Sequence, residues 1–400
     1  MVQVYLPHIR NRKSSTLPLH SKPNTFNMNY TQRYQELNAQ FQLGNNIELK
    51  KSEVDIQFFP FKSLALLSNN EKTIINPNDA SIDENQSFVY PVFKPRKMRI
   101  SKKAILLMHG LNERNWNKYL TWAEYLCEKT EKAVILFPIA FHMNRSPFSW
   151  SNPRVLQSIL DMRRKTVGED RSLSFANIAL SERITEKPMR FYSSGRQSMA
   201  DLTQLFSEIK QGSHPIFAEN TEIDIFAYSI GAFLSQITVM TNPDNLFSDS
   251  KLFMFCGGGI FSSMLGESRS IMDKAAFKRL FSYYMKDFEV EAAATSLLDK
   301  GFESFFSMIS PEHNQAEREG FFQRLGSKIS GISLAKDVVI PYRGVVQALG
   351  TECAKARIKL MDFSFPYMHE NPFPVGNTID SKQVDNSFST IFSEASLFLG

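Results

Sequence analysis

Thr221-Glu-Ile-Asp-Ile-Phe-Ala-Tyr-Ser-Ile-Gly-Ala-Phe-Leu-Ser-Gln-Ile is the stretch whose reading decides the fold. Ile223, Ile225, Phe226 and Ala227 form a mostly apolar run, as a buried strand requires. After Gly231 the period changes. Ile230, Phe233, Leu234 and Ile237 recur at helical spacing, and Asn242-Pro243 ends the run. Between strand and helix stands Ala227-Tyr228-Ser229-Ile230-Gly231. A strand that turns sharply into a helix crowds the backbone on both sides of the turn, and small residues two before and two after relieve the crowding. Such a turn exposes the Ser229 hydroxyl beside a helix N-terminus, whose free N–H groups favour a developing negative charge. Alone, the pattern also fits a serine turn with no chemistry.

The turn resembles the nucleophile elbow of the α/β-hydrolase superfamily. The usual pattern has Gly two residues before the serine; here Ala227 stands there and is small enough for the turn. Working outward, Lys103-Ala-Ile-Leu-Leu-Met is an apolar strand ending in His109-Gly110-Leu111-Asn112. A helix follows with Trp116, Tyr119, Leu120, Ala123 and Leu126 on one face. Ala133-Val-Ile-Leu-Phe is the next strand. Strand, helix, strand in this order predicts a right-handed parallel unit. The His-Gly turn is similar to the oxyanion loop of the same superfamily, with the Leu111 N–H directed at the elbow.

On the C-terminal side, Lys251-Leu-Phe-Met-Phe-Cys256 reads as the next parallel strand. Gly257-Gly258-Gly259 does not match a phosphate cradle and reads as close backbone packing near the site. The run from Lys328 returns to strand, with Asp337 just after it, before an apolar turn and Pro341. This resembles the superfamily's acid-bearing turn. Arg357–Phe365 reads as the last strand, and His369 lies in the loop after it. The order Ser229, Asp337, His369 is the superfamily's own. Competing acids are Asp362, inside the expected last strand, and Glu267. His8, His20, His214 and His313 lie in polar contexts away from the last strand.

The resemblance implies an α/β-hydrolase fold, a mostly parallel central sheet flanked by helices with a helical cap. It implies Ser229 as nucleophile, His369 as base, Asp337 as its orienting acid, and the N–H groups of Leu111 and Ile230 as the oxyanion hole. His109, Gly110, Phe141 and Tyr228 are expected to contact substrate, with a structural role as the alternative for His109. His142 and Arg145 are read as loop residues that could face the pocket. The activity implied is a serine hydrolase acting on an ester or related acyl compound, needing no cofactor and no metal. The alternatives are transfer to a non-water acceptor and a hydrolase-like scaffold without catalysis. The chain is similar to bacterial α/β-hydrolase-like proteins of unassigned role, so the resemblance brings no substrate.

The N-terminal side is less informative. Residues 1 to about 50 are polar and read as an arm with a short helix near Tyr30–Phe41. Glu53–Phe59 and Ser87–Phe93 read as antiparallel strands at the sheet edge, with Pro91 placing the second at an edge; Ser68–Gln86 between them reads as loop. The hydrolase domain is expected over 51–400. Its insertions at about 141–194 and 265–326 would form the cap, with Phe277, Phe281, Phe302, Phe305 and Phe306 lining it. The bland alternative for the second insertion is a homodimer surface.

The composition of 42% hydrophobic and 22% charged residues is that of a globular protein. The net charge of +5 comes without a basic block interleaved with aromatics, which argues against nucleic acid. No stretch is apolar enough for stable membrane insertion and the N-terminus has no signal core. Cys127, Cys256 and Cys353 lack metal-ligand spacing and read as buried thiols, so a cytoplasmic location is expected.

Overall fold

The computed structural model describes residues 29–64, 77–294 and 298–400, and nine strands among them form one sheet. In chain order they are β1 (Ile47–Glu48), β2 (Val54–Lys62), β3 (Ser87–Pro95), β4 (Ser101–Met108), β5 (Ala133–Leu136), β6 (Phe217–Tyr228), β7 (Leu252–Phe255), β8 (Ile329–Leu334) and β9 (Ile358–Met361). The spatial order is β1-β2-β3-β5-β4-β6-β7-β8-β9. From β5 to β9 every pairing is parallel, and β1, β2 and β3 add an antiparallel flank. A mostly parallel sheet flanked by helices is the α/β-hydrolase fold that the resemblance implies.

The sheet separates two cores. Along β6, Ile223, Ile225 and Ala227 face one core, while Phe226 and Tyr228 face the other. The period of two along a strand divides them. The first core is covered by helices Arg190–Lys210 and Ile230–Thr241, the second by Asn117–Thr130 and Ser381–Leu399.

Three expectations are corrected. Residues 30–48 are no arm. Helix Tyr30–Gln40 is fixed to the second core, where Tyr30 stacks on Phe388 at 4.3 Å and Arg33 bonds the buried Glu124. Strand β1 extends the sheet. The arm expected over residues 1–28, and residues 68–76 of the expected loop, lie outside the described residues; the second half of that loop instead carries the short helices Pro77–Ala80 and Asp83–Gln86. Second, β3 is internal, between β2 and β5. Pro91 is accommodated because the β3–β5 ladder covers Val92 and Phe93 and stops short of it. Third, β9 ends at Met361, so Asp362 lies beyond it, bonded to Tyr367 (2.8 Å) and Lys336 (3.0 Å) and away from His369 Nδ1.

The segments at about 141–194 and 265–326 are joined to each other. Buried Arg163 bonds Asp273 through Nε (2.5 Å) and Nη2 (2.8 Å). Asn177 reaches the Ser268 carbonyl at 2.9 Å, and Asn112, on the loop after β4, reaches that of Ser270 at 2.7 Å. Helix Lys274–Lys286 starts at Asp273, whose side chain also accepts the Ala276 N–H at 2.9 Å. No helix among the described residues is long and apolar enough to cross a membrane.

Candidate active site

Three strand ends bring the candidate residues together. At the end of β6, Ser229 has φ 56° and ψ −125°, and helix Ile230–Thr241 begins at the next residue. This conformation is sparsely populated for a residue with a side chain and costs about 1–3 kcal/mol. The small flanking residue is required by contact: a Cβ on Gly231 would lie 2.7 Å from the His109 carbonyl oxygen and 2.8 Å from the Met108 carbonyl carbon. Gly257 is equally constrained, since its Cβ would meet that of Ala232 at 2.5 Å.

Asp337 follows β8 and His369 follows β9. Ser229 Oγ stands 2.6 Å from His369 Nε2, and His369 Nδ1 stands 2.7 Å from Asp337 Oδ2. The other Asp337 oxygen accepts the N–H groups of Val339 and Ile340, both at 2.9 Å. With Nδ1–H donating to the carboxylate, Nε2 is left as an acceptor for the serine proton. All three side chains are buried. Low effective dielectric strengthens each of these bonds.

The backbone N–H groups of Leu111 and Ile230 have no acceptor among the described residues. Both residues line the cavity of about 40 Å³ that contains Ser229. Both also line a larger neighbouring cavity of about 100 Å³. The larger cavity is lined by the apolar Ile139, Leu180, Phe233 and Phe305, and by Phe141, whose ring lies under the Arg183 guanidinium at 5.0 Å. Phe277 lines the smaller one. Phe281, Phe302 and Phe306 lie in the walls of neither. They stack instead on Phe261, Phe288 and His313, respectively.

Of the expected substrate contacts, Phe141 lines the larger cavity, and His109, Gly110 and Tyr228 line neither. They lie behind the site and hold its parts. His109 is fully buried; its Nε2 accepts the Ile139 N–H at 2.9 Å and its Nδ1 donates to the Gly110 carbonyl at 2.8 Å. Burial pushes its pKa well down, so the ring is neutral. Gly110 N–H donates to the Tyr119 hydroxyl at 3.0 Å, which donates to Glu113 at 2.9 Å. That chain fixes the loop carrying Leu111. Tyr228 donates its hydroxyl to the His369 backbone carbonyl.

Of His142 and Arg145, only His142 lines the larger cavity. His142 donates from Nδ1 to the Ala140 carbonyl at 2.8 Å, and its Nε2 has no partner among the described residues. Arg145 is wholly buried on Asp201 at 2.7 Å and is outside the cavity wall. Glu113, Tyr119 and Arg114 were not singled out from sequence. The polar run Asn112-Glu113-Arg114 directly after the His-Gly turn was the available signal.

A profile of a family described as "Family of unknown function (DUF6051)" matches residues 28–400. No curated protein sequence matches the chain. Similar solved structures include carboxyl esterase 2 from the mycorrhizal fungus Tuber melanosporum, at 8% identity and TM-score 0.46, covering 92% of this chain and 96% of that one. A thermostable esterase from Pseudomonas putida is 10% identical with TM-score 0.46, over 95% of this chain and 93% of its own. An S-formylglutathione hydrolase from Agrobacterium tumefaciens is 12% identical with TM-score 0.45, over 90% of this chain and 100% of its own. These likenesses are distant and assign no residue.

Proposed function

The chain belongs to the DUF6051 family, and from that premise we propose that it is a serine hydrolase cleaving a carboxylic ester or related acyl compound. The observation that carries the reading is the pair of hydrogen bonds from Ser229 through His369 to Asp337, at 2.6 and 2.7 Å, built on a strained turn.

The chemistry follows from charge. As Ser229 Oγ bonds to the substrate carbonyl carbon, its proton passes to His369 Nε2. Asp337 holds the imidazole in the needed tautomer and stabilises the imidazolium. The N–H groups of Leu111 and Ile230 receive the oxyanion; one such donor is worth about 3–4 kcal/mol of barrier. The C–O bond to the leaving group breaks, and His369 returns its proton to the departing alkoxide. Water then attacks the acyl-serine, giving its proton to His369, and Ser229 is regenerated as the acid leaves.

The two joined insertions act as the cap, with the apolar walls of both cavities excluding water from the acyl-serine. Each buried substrate methylene contributes about 0.8 kcal/mol, or roughly fourfold in kcat/KM. Rates on p-nitrophenyl esters from acetyl to decanoyl test this. The expected profile rises with acyl length and then falls, and it is absent in Ser229→Ala. Equal hydrolysis by Ser229→Ala removes the reading; a flat profile removes the apolar acyl pocket.

A further inference from the structure

The larger cavity carries an unbalanced charge. Four arginines, Arg114, Arg183, Arg190 and Arg196, line it. Three are matched by acids. Arg183 bonds Asp79 at 2.9 Å, Arg190 bonds Asp79 at 2.8 Å and also Glu186, and Arg196 bonds Asp299 at 2.5 Å. The one carboxylate in the wall, Glu113, is taken by Lys118.

Arg114 is different. Its two terminal nitrogens donate to the backbone carbonyls of Trp150 and Ala176, the latter at 2.7 Å, and it has no carboxylate partner among the described residues. Burial lowers its pKa, with no neighbouring acid to oppose the shift. His142, in the same wall, adds no charge: burial pushes its pKa down to about 4. One positive charge is thus left over, part-buried, in the wall of this cavity. A part-buried charge without a counter-charge is costly, and a ligand that brings one recovers that cost.

The position of Arg114 says which part of a substrate meets it. Leu111 lies in the walls of both cavities, and Arg114 follows three residues later on the same loop. Ile230 likewise lines both, so an acyl chain whose carbonyl oxygen sits on the Leu111 and Ile230 N–H groups can extend from Ser229 into the larger cavity.

We propose that the larger cavity takes an acyl chain ending in a carboxylate, held by the Arg114 guanidinium, so that the substrate is a half-ester of a dicarboxylic acid. The inference rests on the serine hydrolase reading for the reaction, though not for the binding. One excess guanidinium matches one negative charge, which favours a carboxylate over a phosphate monoester with its second charge.

The test uses monomethyl and dimethyl adipate, with the glutarate and suberate pairs to vary length. Equilibrium binding is measured on Ser229→Ala, which cannot turn the esters over. The monoester should bind at least tenfold more tightly than the diester at one of these lengths. Arg114→Gln should collapse that ratio to near one, and Arg114→Lys should keep most of it. Loss of the carbonyl anchors to Trp150 and Ala176 would weaken both esters together and leave the ratio standing, so a structural role gives a different result. Methanol release by the wild-type protein is followed separately. Binding that depends on Arg114 without turnover would sustain this site and remove the hydrolase reading. Equal binding of monoester and diester at all three lengths, or a ratio unchanged in Arg114→Gln, overturns the proposal whatever the turnover.

Discussion

The hydroxyl of Tyr228 donates to the backbone carbonyl of His369, and its ring lies nearly parallel to the imidazole, with centroids 5.6 Å apart at 17°. The residue before Ser229 thus holds His369. Lys118 lies over the other part of this assembly, 4.8 Å from the Tyr228 ring centre. The bond ties the loop after β9 to the end of β6.

Tyr228→Phe keeps the stacked ring and removes the hydroxyl. Stability should fall by about 0.5–1.5 kcal/mol, the worth of one internal hydrogen bond. Ester kcat should fall about tenfold with KM little changed, because the bond positions His369 and touches no substrate. Steady-state kinetics beside urea unfolding check both. An unaltered kcat would mean that the loop holds His369 without Tyr228.

The strained turn gives a second expectation. Ser229→Ala and Ser229→Gly both lose the hydroxyl, but glycine alone relieves the positive φ of 56°. Ser229→Gly should be more stable than Ser229→Ala by about 1 kcal/mol, both being inactive. Glycine's larger unfolded-state entropy offsets part of the relief. Chemical denaturation of the two variants measures the difference, and a less stable glycine variant would mean that the turn stores no strain.

Acid stability follows from a histidine far from the site. His214 is buried with its Nε2 2.8 Å from the Tyr90 hydroxyl, and burial pushes its pKa down to about 4. The unfolded value is about 6.5. Between these values the unfolded chain binds a proton that the folded chain refuses. Stability is therefore lost as pH falls from about 6.5 towards 4, and this loss stops below the folded value. His142, also pushed down to about 4, acts in the same direction. His214→Gln should shrink the loss of stability between pH 7 and 4.5 by roughly 2 kcal/mol. Urea midpoints across that range check it; an unchanged slope would mean that His214 titrates normally in the folded protein.

What could be read from the sequence was local. The elbow shows in Ala227, Ser229 and Gly231 because a tight strand-to-helix turn selects small neighbours at fixed offsets. Asp337 and His369 show because each follows an apolar run. Helix Tyr30–Gln40 was visible as a helix, but its place in the domain rests on Phe388 and Glu124, and no local pattern announces partners so remote. Pro91 misled because its fit depends on where the β3–β5 ladder stops. The spacing of Phe302 and Phe306, one helical turn apart, says that a face is apolar and not what it meets. The roles of Tyr119 and Tyr228 depend on where a hydroxyl ends up, and a tyrosine on a buried strand or helix reads as core.

The central claim is that Ser229 is an activated nucleophile. Incubation of the full chain with a fluorophosphonate, followed by intact-mass and peptide mass spectrometry, tests it most directly. The account predicts one adduct per chain on Ser229, absent in Ser229→Ala and slowed at least a hundredfold in His369→Ala, where the folded protein lacks the base. No adduct on the wild-type chain, or an adduct on another residue that persists in Ser229→Ala, would contradict it.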